Sequence, residues 1–196
     1  MKKLSQINEG FLSKTLSRVK SGEERLEDRI ESNIDEFEEI DLGFPFVFAD
    51  RNLVINGEDK FTWEDFESYR SYIEMQGWRL PNFEELPKCF FRSRYPDRLH
   101  DYITYKYDKG KVYFESKKGI DVLEIYIDNP YGQDFWCDWI PEFDNVENKI
   151  KRGVDSQNAR GWGVASWRYV QGNNPVDFNN YNKMKKLSIR LIKDKK

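Results

Sequence analysis

The chain's single histidine is His100, and its only two cysteines are Cys89 and Cys137. A nucleophile with an imidazole base, or a histidine-containing zinc site, would have to be assembled from these three residues. His100 lies in an unremarkable L-H-D-Y context and reads as a structural histidine. No cysteine pair with ligand spacing lies near it, so no zinc is assigned. The cysteines, in C-F and W-C-D-W, read as buried reduced thiols, with a disulfide between them left open. Carboxylates are plentiful around Asp134, Asp138, Glu142 and Asp144, yet an acid pair at glycosidase spacing cannot be read from a sequence. Calcium held by Asp138 and Asp144 lacks the pattern of an EF-hand. Arg160-Gly-Trp-Gly is too short for a phosphate loop and lacks the Lys-Ser/Thr pair. No catalytic residue, metal or cofactor is therefore assigned.

What remains is surface chemistry. The run ARGWGVASWRYVQGNNPVDFNNYNK joins Trp162, Trp167 and Tyr169 to Arg160, Arg168 and an Asn-rich turn at Asn173 and Asn174. Strand alternation places Trp167 and Tyr169 together and inward, whereas Trp162, between two glycines, reads as an exposed loop residue. Rings, guanidinium and amides together make a binding face for protein or carbohydrate. The candidate partner-binding set is Trp139, Arg160, Trp162, Asn173, Asn174 and Tyr181. The alternative, that these rings simply fill the core, stays open. Arg79 and Arg190 read as residues of buried or half-buried ion pairs, Arg79 with Glu84 or Glu85.

The elements that must position these residues follow from composition. The 196 residues suit one domain with an appended arm; 38% are hydrophobic and 16% aromatic, so the core must be built from large rings. The net charge of −3 gives no clustered basic surface for nucleic acid. The Lys-rich end KKLSIRLIKDKK reads as a strand with solvated flanks. No apolar run is long enough for a membrane span or a signal peptide, so the expected place of synthesis and retention is a cytosol.

Residues 1–39 contain neither Pro nor Trp. Leu4, Ile7, Phe11, Leu12, Leu16 and Val19 follow helical spacing and make one narrow apolar stripe. So thin a stripe must lie on a partner surface, pair with another chain or remain a flexible arm. From Ile40 the texture becomes compact. DLGFPFVFADRNL suits a first core strand, and N-G-E-D is a turn with Gly57 at positive φ. FTWEDFESYRSYIEMQG reads as a helix capped by Thr62 with Asp65, burying Phe66, Tyr69, Ile73 and Tyr72 and stopped at Gly77. In GWRLPNFEEL, Pro81 keeps Leu80 extended and Asn82 caps a second helix with Glu85 reaching back; Pro87 keeps that helix short. KVYFES and DVLEIYI read as a hairpin with Leu123, Ile125 and Ile127 on one face. FWCDWIP, GVASWRYV and KLSIRLIKD are further strands; in the last, Leu187, Ile189 and Leu191 point inward and Arg190 the other way. The expected class is α+β.

The order DLGFPFVFADRN, FTWEDF, GWRLPNFEEL, GKVYF, WCDW, SWRYV and LSIRLI resembles Bacteroidales proteins of the major-paralogous-domain pattern. Those carry DLGLPSG, a GWRLPT-x-x-E helix start, a Y-W-S-S strand and a final V-R-x-V strand. The resemblance spans about residues 40–194. It implies a C-type lectin-like fold of the formylglycine-generating-enzyme type, with two helices flanking a small irregular antiparallel sheet. Phe135-Trp136-Cys137-Asp138 departs from Y-W-S-S, and the enzymes' paired cysteines and the lectins' E-P-N and W-N-D signatures are missing. KKLSQINEGFLSKTLSRVKSGEERLED is similar to leaders carried by small proteins of Bacteroides-infecting tailed phages, including crAss-like ones, which implies a docking or packaging arm.

The reading is thus a docking arm over 1–39 and a C-type lectin-like domain over 40–196. The expected function is a non-enzymatic structural or adhesion module of a phage virion, made in the host cytoplasm. Leu4, Ile7, Phe11, Leu12 and Leu16 would anchor it to other virion proteins or to sister chains, with a homo-oligomer as one outcome. Its loop face would contact a surface protein or glycan. The alternative is a soluble intracellular effector that binds a host protein.

Overall fold

The computed structural model describes residues 36–92, 95–127, 132–138, 157–165 and 175–196, of which 92 and 95–98 are described as backbone alone. The anchoring residues Leu4, Ile7, Phe11, Leu12 and Leu16 lie outside these, as do Trp139, Asn173 and Asn174.

Thr62 opens helix α1, Trp63–Met75, with a capping box. Its hydroxyl accepts from the Asp65 amide at 3.1 Å, and the Asp65 carboxylate accepts from the Thr62 amide at 3.0 Å. Phe66 and Ile73 are buried, Tyr69 and Tyr72 pack beside them, and Gly77, at φ 79°, ends the helix. Helix α2, Glu85–Phe90, has six residues, with Pro87 in its first turn, and buries only Leu86 and Phe90. The rest is strand. β1 (Glu39–Ile40), β2 (Phe46–Ala49) and β13 (Ile192–Asp194) form one sheet. β3 (Lys60–Phe61), β9 (Gly132–Trp136), β10 (Asn158–Ala165), β11 (Val176–Asn182) and β12 (Leu187–Ser188) form a second, ordered β11-β10-β9-β12-β3. β4 (Phe91–Arg92) and β5 (Tyr95–Leu99) make a ribbon, and β6 (Ile103–Asp108), β7 (Lys111–Ser116) and β8 (Val122–Tyr126) make a meander.

This corrects the expected α+β, C-type lectin-like architecture: the described residues are predominantly β, and two helices do not flank a single small sheet. The physical reason is where the apolar mass falls. α2 is too short to cover a sheet, while alternating rings on the strands bury themselves strand against strand. The five-stranded sheet is also mixed, since Ser188 of β12 pairs in parallel with Phe135 of β9.

Two ring-rich cores result. In the first, Phe44, Phe46, Phe48, Phe90 and Phe114 meet mostly edge to face, with centroids 5.3–5.6 Å apart for Phe44–Phe90, Phe44–Phe46 and Phe90–Phe114. In the second, Phe61, Phe66, Ile73, Trp78, Leu80 and Trp136 pack beneath α1. The β7–β8 hairpin follows the sequence reading, and β6 joins it as a third strand that the reading does not name. Leu123 and Ile125 are buried, and Lys109 (φ 47°) and Gly110 (φ 82°) form the primed two-residue turn that suits a twisted hairpin.

GWRLPNFEEL is a junction. Arg79 exchanges two 2.9 Å backbone hydrogen bonds with Ile192, and its guanidinium pairs with Asp194 (2.6 Å) and Glu85 (3.1 Å). Asn82 accepts from the Glu84 amide at 2.8 Å, as a capping side chain does, although α2 itself begins only at Glu85. Burial raises the Glu85 carboxyl, an effect Arg79 partly offsets, whereas the hydrogen bond from Arg79 lowers that of Asp194.

The C-terminal run departs from simple alternation. Leu187, Ile189 and Leu191 enter the second core as expected, but Ser188, Arg190 and Ile192 are buried too. Arg190, expected to point away from the interior, is 1% exposed. Its guanidinium donates to Ala49 O (3.0 Å), Asp50 O (2.6 Å) and Asn52 Oδ1 (3.0 Å), because the 49–52 turn covers that side of the run. The flanking lysines pair with acids, Lys185 with Asp134, Lys186 with Glu58, Lys193 with Glu39 and Lys195 with Asp41. Among the described residues no helix is long and apolar enough to cross a membrane.

Candidate functional site: a glycine-floored trough on the five-stranded sheet

β10 carries two different faces. Trp162 and Val164 point into the first core, where the Trp162 ring stacks on Phe135 at 4.6 Å. Ala159, Gly161, Gly163 and Ala165 occupy the alternate positions and form a strand-wide strip with almost no side chain. β9 and β11 run antiparallel on either side, and the register sets Gly163 between Asp134 and Asp177, and Gly161 between Trp136 and Asn179. Side chains from the two outer strands lean inward over this strip.

Missing Cβ atoms make the lean possible. A Cβ on Gly163 would stand 2.8 Å from Oδ1 of Asp134 and equally close to Oδ1 of Asp177, so the two carboxylates are no farther apart than twice that distance. A Cβ on Gly161 would stand 2.6 Å from the Tyr181 ring. The outcome is a pocket of about 230 Å³ lined by Gly132, Asp134, Ala165, Asp177, Asn179 and Tyr181.

Each polar group has a defined neighbour. The Tyr181 hydroxyl donates to Asp134 Oδ1 at 2.9 Å, Lys185 reaches Asp134 Oδ2 at 3.2 Å, and the Asn179 amide donates to Asp177 Oδ2 at 3.0 Å. Lys185 also lies 4.3 Å from the Tyr181 ring centroid. Burial raises the Asp177 carboxyl above its ordinary value; Asn179 offsets part of this and the charge of Asp134 adds to it. Burial, then Asp134, raises the Tyr181 phenol, which therefore stays a neutral donor. Two acids share one concavity, one with a phenol and an ammonium beside it, the other with an amide alone. Such a site attracts positive charge and can make several hydrogen bonds to it.

Of the described members of the partner-binding set read from the sequence, Arg160, Trp162 and Tyr181, the trough takes only Tyr181. Trp162, expected to be exposed in a loop, is 0% exposed within β10, and among the described residues its indole N–H has no hydrogen-bond partner. Its neighbouring glycines are there because other side chains fill their Cβ space. Arg160 faces the same way as Trp162, its guanidinium 4.4 Å from the Phe83 ring centroid. Asp177, Asn179, Gly161 and Gly163 were missed. A period-two signal does carry them, A-x-G-x-G-x-A over 159–165 and D-x-N-x-Y over 177–181.

The other chemistry-bearing residues stand apart from the trough. His100 stacks on Tyr102 at 4.7 Å. Cys89 and Cys137 are free thiols; burial pushes the first up to about 11 and the second well above its ordinary value. Asp138, weighed as a calcium ligand, is paired with Arg70 at 2.6 Å and so ties the end of β9 to α1. Among the described residues, no cluster of three or more His, Cys, Asp or Glu side chains is arranged to hold a metal. The chain matches no protein-family model, no curated protein and no solved structure.

Proposed function

We propose that this chain is a non-enzymatic binding module whose trough receives a basic side chain of a partner protein. The observation that carries the reading is the convergence of Asp134 and Asp177 over Gly163 from opposite sides. Asp134 is engaged by Tyr181 and Lys185, so it serves as fixed negative charge. Asp177 is the carboxylate that gains most from an incoming cation, because burial already penalises its charge. The pocket is too small for an extended ligand and large enough for the end of an arginine or lysine.

The test is a titration of the isotope-labelled protein with N-acetyl-arginine amide, followed by amide shifts. Shifts at Gly163, Ala165 and Asn179 are expected, with a dissociation constant on the order of 1 mM for so small a probe. Asp177→Asn should weaken binding roughly tenfold by removing one charge-assisted hydrogen bond. Binding should also weaken as pH falls, and earlier than for an ordinary aspartate, because a raised pKa means Asp177 takes its proton at higher pH. No shift with arginine or lysine amides overturns the reading. Shifts with methyl glycosides instead would assign the trough to carbohydrate.

The helical spacing of Leu4, Ile7, Phe11, Leu12 and Leu16 supports the second half of the proposal, attachment of the module to a particle or to sister chains through residues 1–39. Deleting residues 1–38 should abolish particle incorporation while leaving the domain folded by circular dichroism. Normal incorporation of the truncated chain, or a full-length chain found by mass spectrometry only in cell lysate, would contradict virion attachment; the lysate result would favour the intracellular effector.

A further inference from the structure

The meander ends in a strand whose outer edge is treated differently from every other strand end nearby. Ile127 donates to Gly110 O at 2.8 Å, in register with the Ile125–Val112 and Leu123–Phe114 pairs. Antiparallel alternation therefore turns the backbone N–H and C=O of Val122 and Glu124 away from β7. β8 is the last strand of its sheet, so among the described residues no strand pairs with that edge. Exposed apolar side chains gather on it. Ile120 is 89% exposed, Val122 43% and Tyr126 58%, three of the five large apolar residues exposed among those described. The opposite edge, β6, presents Thr104, Lys106 and Asp108 on the same outer face, the charged dressing that discourages strand addition. β8 has only Glu124 there, and Lys111 neutralises it at 2.6 Å.

We propose that a second copy of this chain pairs with this edge, β8 against β8 in antiparallel orientation about a two-fold axis at Leu123. The strand is complementary to itself in that register. Val122 exchanges backbone hydrogen bonds with Glu124 of the second copy, and the reverse, while Ile120 faces Tyr126 of the second copy, an aliphatic-aromatic cross-strand pair. The register also sets each Glu124 opposite a valine, avoiding two glutamates face to face. Ile120 and Asp121 donate their own amides to Asp41 O, which limits the ladder to a short one. The two meanders then form one continuous sheet.

So short a ladder makes a weak dimer, with a dissociation constant on the order of 100 μM. The test is sedimentation equilibrium of the full chain between roughly 10 μM and 1 mM, a range that brackets that value. Val122→Pro removes an amide that points away from β7, so the meander keeps its internal bonds while the intermolecular ladder loses two. It should raise the dissociation constant at least about tenfold. Val122→Lys, at a half-exposed position, should do the same by charge and serves if the proline variant fails to fold. A chain that stays monomeric throughout, or self-association that both variants leave unchanged, would falsify the proposal. The trough lies on another sheet, so arginine binding by these variants reports separately on that site.

Discussion

Arg190→Ala is expected to cost about 4 kcal/mol of folding free energy, read as a drop in the urea midpoint at constant slope. Two effects oppose each other at this position. Burial pulls the guanidinium pKa down to about 10, so holding the charge inside is costly, and removing it relieves that cost. Against this, the substitution leaves the buried Ala49 O and the partly buried Asp50 O and Asn52 Oδ1 without their donor, and opens a cavity where the buried side chain packed. Each orphaned acceptor costs on the order of 1–3 kcal/mol, so the loss wins. Arg190→Met refills the volume but not the hydrogen bonds, and its penalty should fall to about half. At a solvated strand position both changes would stay within about 0.5 kcal/mol.

Trp162→Ala should be comparably damaging, about 4 kcal/mol by the same measurement. The indole stacks on Phe135 and touches Phe48 in the first core, and it is among the largest fully buried side chains of the protein. Trp162→Phe should lose much less. The indole N–H has no hydrogen-bond partner among the described residues, so replacing it gives up ring area and sacrifices no bond. The pair of variants separates a core tryptophan from a binding one: a surface residue would tolerate alanine and show its loss only in partner affinity.

These two residues also mark where sequence reasoning stopped. For α1 the sequence pointed to the right cap, the right buried face and the right stop, because Thr62, Asp65 and Gly77 act on backbone groups within four residues of themselves. The β7–β8 hairpin was legible for a similar reason: period-two burial is a local property, and a short turn joins the two strands. The Arg79–Glu85 pair spans only six residues and was readable too. The partner that completes it, Asp194, is 115 residues away and was not. The expected two-helix, lectin-like architecture failed because it rested on the order of short runs, and order does not say which strands become neighbours.

What the sequence determined by itself is a ring-built core, one well-capped helix, the glycine turns and the alternating face of the β7–β8 hairpin, all consequences of side-chain size and of hydrogen bonds closed over a few residues. Only the tertiary structure decided the rest. Asp134 and Asp177 become a pair because β9 and β11 both choose β10 as neighbour, in the one register that brings Gly163 between them. In the sequence Gly161-Trp162-Gly163 reads as a loop, since glycine usually breaks a strand. In the fold the glycines are the strand's empty side, where the Tyr181 ring and two carboxylates take the space that Cβ atoms would have filled, while Trp162 closes the core on the other.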